Sequence, residues 1–279
     1  GDQFGFKVSG IGDLNNDGCD DIAIGAPKAD ATGIDSGCVY IFSGKSGKQL
    51  YRIDGDRAGN QFGSAVDGTV SGAFGLLGVG AMNAPGGGSA VVLNCSASSA
   101  EWAFAFEADS TASNLGQYFV TILGDVDGDE VPDVFASDWN NRAKGPATGR
   151  VYVSSGATGE PLLAITGNVP GEGFGTSASY CGDVNHDGVA DMVVGAWQHS
   201  SAARSGGAVY LHSGADGSRL ATWTCKQAGD TLGFDSVGIG DVDGDGGTDF
   251  LLTAAWSGIR GTKTGRVWIV AGPVFSQAK

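Results

Sequence analysis

The segment Asp13-Leu14-Asn15-Asn16-Asp17-Gly18-Cys19-Asp20-Asp21 leads without a break into Ile22-Ala23-Ile24-Gly25-Ala26-Pro27. Oxygen-bearing side chains occupy positions 1, 3, 5 and 9 of the nine-residue segment, and a glycine occupies position 6. The β-branched and small residues that follow are typical of a buried strand. An acidic turn joined to a strand is therefore the local unit from which the fold can be inferred.

This unit belongs to a repeat that runs through the whole chain. A glycine that follows an aromatic residue or a leucine recurs at spacings of 58, 53, 59 and 58 residues, at Gly5, Gly63, Gly116, Gly175 and Gly233. A second glycine, which opens a strand-like run, keeps step with it at Gly37, Gly88, Gly149, Gly207 and Gly265. A fixed period defines a folded unit. It divides the chain into repeats of about residues 1–55, 56–107, 108–167, 168–225 and 226–279.

Each repeat is predicted to contain four short strands, and the fourth repeat shows them most clearly. Its first strand is predicted to begin at Phe174, and the others to cover residues 192–196, 208–211 and 219–223. β-branched, aromatic and alternating residues between Gly, Ser and Asp support these assignments. Glycine-containing segments at 43–47, 155–159 and 213–217 predict tight hairpins between the third and fourth strands.

These repeats predict an all-β fold of the β-propeller class, because radial packing of four-stranded blades buries their faces and shortens their exposed edges. A linear β-solenoid has coils of roughly 20–29 residues, about half the period found here. We predict one propeller domain over residues 1–279, with five blades or with five blades of a larger ring. The last repeat lacks a hairpin signal, so its fourth strand is expected to be short or missing. Because the chain opens inside a motif and without Met, we expect a piece of a longer protein.

The charge balance narrows the class of partner. The chain has 31 acidic and 16 basic residues and a formal charge of −15, which disfavours nucleic acid and anionic membrane surfaces. No apolar run reaches the roughly 18 residues that span a bilayer, so no membrane insertion is predicted. Five cysteines, with no Cys-x-x-Cys pair, suggest neither a zinc site nor a redox motif. Because the number is odd, at least one thiol is left unpaired within the chain. Two disulfides are compatible with an oxidising compartment, but buried free thiols are the favoured interpretation.

The acidic segment recurs at the same place in four of the five repeats, at residues 13–21, 125–133, 183–191 and 241–249. Ca²⁺ takes six to eight oxygen ligands, which alternate side chains and a main-chain carbonyl at position 7 supply. The predicted side-chain ligands are Asp13, Asn15, Asp17, Asp21, Asp125, Asp127, Asp129, Asp133, Asp183, Asn185, Asp187, Asp191, Asp241, Asp243, Asp245 and Asp249. The predicted carbonyl ligands belong to Cys19, Val131, Val189 and Gly247. About four Ca²⁺ ions are expected; they would change the formal charge from −15 to −7 and relieve repulsion within each loop.

The second and third repeats depart from this pattern in different ways. The segment of the second repeat that aligns with the acidic loops, residues 67–75, has one carboxylate, Asp67, and is predicted to bind no metal. In the loop of the third repeat, Glu130 replaces the glycine at position 6, so the turn is less clearly indicated there, but no ligand is removed.

Phe4-Gly5, the acidic segment 13–21 and the strand that ends in Gly25-Ala26-Pro27 together resemble the FG-GAP repeat of integrin α-subunit propellers. The resemblance covers essentially the whole chain and is fullest in the first repeat. It implies a propeller with calcium in the loop between the first and second strands, an extracellular or cell-surface location, and a role in adhesion or ligand recognition. The Ser-Gly-x-x-Gly hairpins are more similar to repeats of large secreted bacterial proteins.

Strand alternation separates the predicted calcium sites from a candidate ligand surface. Loops between strands one and two and between three and four leave one side of a blade, and the other loops leave the opposite side. Trp139, Trp197 and Trp256 stand after the second strands of the last three repeats, each before a polar loop. Such indoles can stack on sugar rings or anchor a protein partner. The alternative is that they wedge between blades or cap a central channel.

The sequence shows no catalytic arrangement. His186, His199 and His212 lie in an acidic loop, a variable loop and a strand end, without a nucleophile–base–acid order. We therefore predict a non-enzymatic, calcium-binding recognition or adhesion module that binds protein or glycan on the side opposite calcium. One alternative is a purely architectural repeat of a larger cell-surface protein. Another is a polysaccharide-active or hydrolytic enzyme with its site in the channel mouth, which a convergent acid and base free of metal would favour.

Overall fold

The computed structural model of the protein describes residues 1–71, 74–106 and 108–275. These residues form nineteen β-strands and no helix. Within the same ranges, no helix has the length and apolar character that crossing a membrane requires. The strands group into five antiparallel sheets that follow one another along the chain.

The first sheet contains β1 (Lys7–Gly12), β2 (Asp21–Ala26), β3 (Cys38–Phe42) and β4 (Gln49–Asp54). The second contains β5 (Phe62–Ser71), β6 (Phe74–Ala81), β7 (Ser89–Cys95) and β8 (Ala100–Ala105). The third contains β9 (Val120–Ile122), β10 (Val134–Asp138), β11 (Arg150–Ser154) and β12 (Pro161–Thr166). The fourth contains β13 (Phe174–Tyr180), β14 (Met192–Ala196), β15 (Ala208–His212) and β16 (Arg219–Thr224). The fifth contains β17 (Leu232–Gly240), β18 (Asp249–Ala254) and β19 (Arg266–Val270).

In every sheet each strand pairs with its neighbour along the chain, which is the up-and-down order of a propeller blade. The predicted fold class is thereby confirmed: the chain is all-β and consists of five repeated blades. The strands predicted for the fourth repeat agree with β13 to β16 to within one residue at each predicted end. Up to residue 275 the fifth sheet has three strands, as expected from its missing hairpin signal.

The predicted hairpins form between the third and fourth strands. In the fourth sheet, the N–H of Gly217 donates to the carbonyl of Ser213 at 2.9 Å, and Gly217 has φ 71°. The same bond joins Gly47 to Ser43 and Gly159 to Ser155. A left-handed backbone at the end of this turn favours glycine, which explains why the Ser-Gly-x-x-Gly signature repeats.

The second glycine series marks a close approach between successive blades. Gly37 forms a parallel bridge with Phe62, and Gly207 forms one with Leu232. A Cβ atom on either glycine would overlap the backbone of the bridged residue. The first strand of the next blade therefore lies directly on the start of the third strand, and only glycine leaves room for it.

The chain forms two compact units. Unit 1 consists of Gly1–Ile122, Val134–Ala136 and Val153–Pro161, and unit 2 of Leu123–Asp133, Ser137–Tyr152 and Leu162–Lys279. The core of unit 1 includes Val39, Ile41, Val66, Leu77, Val79 and Leu93 from the first two sheets. The core of unit 2 includes Val193, Val209, Leu211, Phe250 and Leu252 from the last two. One domain over residues 1–279, with the repeat limits given above, stays a prediction.

Within the described residues all five cysteines are free thiols. Cys38, Cys181 and Cys225 are buried, as favoured from the sequence, and Cys95 is half-buried. Cys19 is exposed, because it stands at the tip of an acidic loop rather than in a strand.

The alignment of residues 67–75 of the second repeat with the acidic loops is corrected by the structure. Asp67 lies inside β5 and pairs with Gly78 of β6. β5 and β6 extend toward each other as a continuous ladder to Ser71 and Phe74. In the second repeat Ala81 lies 18 positions after Gly63, three fewer than the 21 that separate Ala26 from Gly5 in the first, and the longer strands take the place of the acidic loop.

Candidate metal centre

The four acidic loops share one backbone conformation. Each joins the first two strands of its sheet, and positions 4 and 6 have positive φ in all four. These pairs are Asn16 and Gly18 (57° and 88°), Gly128 and Glu130 (85° and 69°), His186 and Gly188 (64° and 89°), and Gly244 and Gly246 (83° and 89°). Glu130 thus adopts the left-handed conformation of its glycine counterparts, and the turn forms without a glycine at position 6.

The aspartate at position 1 folds each loop around itself. In the loop of the fourth repeat, Asp183 Oδ1 accepts the N–H of Asp187 at 3.0 Å and Oδ2 accepts that of Gly188 at 2.9 Å. Asp13 and Asp241 make the equivalent pair of bonds to positions 5 and 6. The carboxylate consequently lies on the inner side of the loop, next to the backbone of positions 5 and 6.

The aspartate at position 9 is almost completely buried, with exposures of 0–1% at Asp21, Asp133, Asp191 and Asp249. In the loop of the fourth repeat, Oδ2 of Asp191 accepts the N–H of Val184 at 2.8 Å and Oδ1 accepts the N–H of Gly214 at 3.0 Å. Burial raises the pKa of Asp191, which indicates that these bonds alone do not fully compensate for its desolvation. A nearby cation would supply the missing stabilisation.

Side-chain oxygens converge in the two loops that have aspartate at all four of positions 1, 3, 5 and 9. One ligand atom from each of Asp125, Asp127 and Asp133 lies within 4.8 Å of the others, and Asp241, Asp243 and Asp245 form a second such group. In the first loop, Oδ1 of Asn15 is buried and has no hydrogen-bond donor among the described residues. An orphaned, buried oxygen at a predicted ligand position is the kind of group that a bound cation satisfies.

The position 7 residues leave their carbonyl oxygens free. The N–H of Val189 donates to Asp187 at 2.9 Å and that of Gly247 to Asp245 at 2.8 Å, which orients the peptide of each. Within the described residues, no hydrogen bond reaches the carbonyl oxygens of Cys19, Val131, Val189 or Gly247. These atoms are available as ligands, as the sequence pattern predicts.

The structure adds residues that the sequence did not single out. The hydroxyl of Ser43 donates to Oδ2 of Asp17 at 3.0 Å, and that of Ser213 donates to Oδ2 of Asp187 at 3.3 Å. Both serines open the hairpin between the third and fourth strands. The recurring Ser-Gly signature could have indicated this contact, because both connections leave the same side of the sheet.

The three predicted tryptophans are brought together in unit 2. The Trp197 ring lies 6.3 Å from that of Trp139 and 4.8 Å from that of Trp256, both edge to face. Phe234 of β17 completes the cluster at 5.9 Å from Trp197. Trp139 and Trp197 are half-buried, whereas Trp256 and Phe234 are each 41% exposed. The cluster therefore has a packed part and an exposed aromatic edge.

A buried acid and base also meet in unit 2, which the sequence order did not suggest. Oε2 of Glu172 lies 2.8 Å from Nδ1 of His199, whose Nε2 lies 2.7 Å from the hydroxyl of the exposed Ser201. The Tyr210 hydroxyl donates to the same Glu172 oxygen at 2.9 Å. Burial, with the charge of Glu172 and this bond, raises the pKa of Tyr210. The order acid, imidazole and hydroxyl is that of a catalytic triad.

The same positions carry a different network in the third repeat. There Asn141 occupies the place of His199, and its amide donates to the hydroxyl of Tyr152, which corresponds to Tyr210. A polar side chain at this place that bonds to a tyrosine of the third strand is thus a feature of the blade and does not require histidine.

Comparisons with known proteins agree with the arrangement of the loops. The FG-GAP-like repeat family matches residues 125–194, and the FG-GAP repeat family matches residues 4–42 and 234–270. These ranges contain all four acidic loops, and the second repeat lies outside them. Integrin alpha-5 of Xenopus laevis is 24% identical over 259 residues, an alignment that covers 90% of this chain.

The relatives are much longer than this chain. The chain spans 20% of the length of the integrin alpha-5 sequence. Among solved structures, the crystal structure of Chaetomium thermophilum Raptor is similar at a TM-score of 0.53 and 11% identity, over 95% of this chain and 20% of that one. The likeness to Raptor concerns the fold alone.

Proposed function

The chain belongs to the FG-GAP repeat family, and from this premise we propose that it is a calcium-binding recognition or adhesion module of the cell exterior. Its ligand is a protein or a glycan that binds on the side of the blades opposite the acidic loops. We propose no enzymatic activity, no nucleic-acid partner and no membrane insertion. The likeness to integrin alpha-5 supports the extracellular location and the adhesive role.

The observation that carries the calcium proposal is the fourfold recurrence of one loop. Four segments with the same ligand spacing adopt the same two left-handed positions. In each, a carboxylate at position 1 lies on the inner side and a carboxylate at position 9 is buried. Carboxylates this close repel one another, and a hard divalent cation with oxygen preference relieves that repulsion. The site residues would be those at positions 1, 3, 5, 7 and 9 of each loop, about four ions in all.

Calcium would stabilise the blades because it binds only the folded loop. Removal by EGTA should lower the melting temperature, and calorimetric titration of the calcium-free protein should give about four sites. Asp127→Asn and Asp243→Asn should each remove one site. Asp56→Asn is the matched control, because Asp56 is an exposed acid outside the loops. An unchanged melting curve in EGTA together with no heat of calcium binding would rule the proposal out.

The proposed recognition surface is supported by the aromatic cluster. An exposed indole next to a second exposed ring offers a flat apolar contact for a sugar or for a protein side chain. Trp256 is 41% exposed and contacts two rings, whereas Trp197 is half-buried among three, so replacing Trp256 disturbs the packing less. Screening a glycan array with wild type and with Trp256→Ala tests the proposal. Binding that the variant loses while its melting temperature is kept is the expected result.

Hydrolysis is a second candidate, because Ser201, His199 and Glu172 are aligned as nucleophile, base and acid. The equivalent Asn141–Tyr152 bond in the third repeat favours a structural role instead. A fluorophosphonate probe distinguishes the two, since it labels an activated serine. Labelling of wild type and of Ser200→Ala, but not of Ser201→Ala, would establish the hydrolytic candidate. No labelling of any form is expected from a structural network.

A further inference from the structure

The loops that follow the second strands of the last three repeats differ in charge from the rest of the chain. Residues 139–149, 197–207 and 255–265 contain five basic residues, Arg142, Lys144, Arg204, Arg260 and Lys263, and no acidic residue. About one residue in nine of the whole chain is acidic, so three or four acids would be expected in loops of this total length. Positive charge is therefore concentrated in these three loops of a protein whose formal charge is −15.

The three loops form one connected surface within unit 2. Their starting tryptophans pack edge to face, as described above. Each of the first two loops is also bonded to the segment that leads into the next blade: Gly171 donates to the carbonyl of Pro146 at 2.7 Å, and Gly229 donates to that of Arg204 at 2.9 Å. The N–H of Trp256 in turn donates to the hydroxyl of Thr231 at 3.4 Å. The basic residues consequently share a continuous surface.

The acids of the two linking segments, residues 167–173 and 225–231, which lead into the next blade, do not cancel this charge. Glu172 and Asp230 are buried, each about 1% exposed. Lys226, which lies in the second linking segment, is exposed and adds a sixth cation. None of the six cations forms an ion pair within the part of the chain that the structure describes. Lys144 donates to the amide oxygen of Asn168 at 3.1 Å, a neutral partner that leaves its charge unbalanced, so all six cations can meet an external anion.

Aromatic and cationic groups are adjacent on this surface. The Nζ atom of Lys263 lies 5.5 Å from the centre of the Trp256 ring, and both residues are exposed. Phe234, also exposed, lies 6.2 Å from Trp256. A ligand that covers the rings therefore reaches the ammonium group at the same time.

We propose that this surface binds an acidic glycan, a polysaccharide whose sugars carry carboxylate or sulfate groups. The inference rests on the proposed recognition function and specifies its ligand. Apolar sugar faces stack on Trp256 and Phe234, and the anionic groups meet the surrounding cations. Because one indole and one or two cations recur in each of three successive repeats, the surface suits a repeating polymer better than a single acidic peptide. Nucleic acid is disfavoured, since its denser charge meets stronger repulsion from the acidic remainder of the protein.

The test compares polygalacturonate and chondroitin sulfate with neutral dextran, by calorimetry in the presence of calcium. Wild type should bind both acidic polymers and not dextran, with an affinity that falls as salt is added. Arg260→Gln with Lys263→Gln should weaken binding at least tenfold. The matched control, Lys48→Gln with Arg57→Gln, makes the same charge change at exposed positions in unit 1 and should bind as wild type does.

The outcomes separate this inference from the proposed function. Equal binding of dextran and of the acidic polymers, lost in Trp256→Ala, would overturn the preference for acidic glycans and leave the recognition function standing. Failure of all three polymers to bind would overturn the inference, and an absence of both glycan and protein ligands in array screens would overturn the function as well. Tighter binding of duplex DNA than of polygalacturonate would also contradict the inference.

Discussion

The backbone N–H of Gly214 lies 3.0 Å from Oδ1 of Asp191, and this bond ties the acidic loop of the fourth sheet to the β15–β16 hairpin. Gly44 and Asp21 are related in the same way at 3.1 Å. The other oxygen of each aspartate accepts N–H groups from the start of its own loop. The position 9 carboxylate thus has a structural role in addition to its predicted role as a ligand.

Asp191→Asn should therefore destabilise the protein whether or not calcium is present. The amide would direct its own N–H toward a backbone N–H of Val184 or Gly214. The free energy of unfolding should fall by about 1–3 kcal/mol. Asp187→Asn should cost stability mainly in calcium, because Asp187 is exposed and its one bond outside the loop, from the Ser213 hydroxyl, is long at 3.3 Å. Urea unfolding of both variants, with calcium and with EGTA, measures the difference. Equal losses for the two variants under both conditions would contradict the separate roles.

The third loop should become more stable when Glu130 is replaced by glycine. Glu130 has φ 69°, a conformation that costs a residue with a side chain about 1 kcal/mol more than glycine. Glu130→Gly removes this strain and also removes a negative charge next to the Asp cluster. Glu130→Gln removes the charge alone and is the control. We expect a gain of about 1 kcal/mol in the free energy of unfolding in EGTA for Glu130→Gly, of which Glu130→Gln reproduces only a minor part.

The sequence predicted the blades and the acidic loops well because both depend on local patterns that repeat. β14 (Met192–Ala196) has the limits expected, since Asp191 of the acidic loop precedes its apolar residues and the polar loop that begins at Trp197 follows them. The loops could be located because ligand spacing and left-handed positions are encoded within nine residues. Asp67 was placed wrongly because the second repeat is shorter, and only strand pairing with Gly78 shows which residues were lost.

Contacts between distant segments could not be predicted from patterns of this kind. The bond from His199 to Glu172 joins residues 27 positions apart, and neither has a distinctive neighbour in the sequence. The packing of Trp197 against Trp139 and Trp256 depends on how successive blades are oriented. A single sequence contains no direct signal for that orientation.

The free thiols provide a test of the packing around the third strands and the acidic loops. Cys19 is exposed, whereas Cys38, Cys181 and Cys225 are buried. Burial raises the pKa of Cys95 to about 11, so that little thiolate is present at neutral pH. At pH 7.5 we expect a thiol reagent such as DTNB to modify one cysteine rapidly, and Cys19→Ser to abolish this phase. All five should react once the protein is unfolded in urea; fewer than five, restored by reduction, would indicate disulfides instead.

The ionisation of Asp67 should make the stability of unit 1 depend on pH in an unusual direction. Its carboxylate accepts the Ser9 hydroxyl at 2.5 Å and the Ile122 N–H at 2.9 Å. Burial nevertheless raises the pKa of Asp67, and the hydrogen bonds and the charge of Lys7 lower it by less. The folded state therefore holds this proton more tightly than the unfolded chain, in which the pKa is about 3.9. Stability from this group is present at low pH and is lost as pH rises through the raised value.

Asp67→Asn isolates this contribution because the amide does not titrate. Its oxygen can accept the Ile122 N–H and its N–H can donate to the Ser9 hydroxyl, so both partners stay bonded. Relative to wild type, the variant should become more stable as pH rises from about 3.5 through the raised pKa, and the difference should then level off near neutral pH. Asp67→Ala is the control: it leaves Ile122 and Ser9 without their acceptor and should be destabilised at every pH. Urea unfolding in EGTA between pH 3.5 and 7.5 measures all three proteins. A difference between Asp67→Asn and wild type that is constant, or that falls as pH rises, would show that the pKa of Asp67 is not raised.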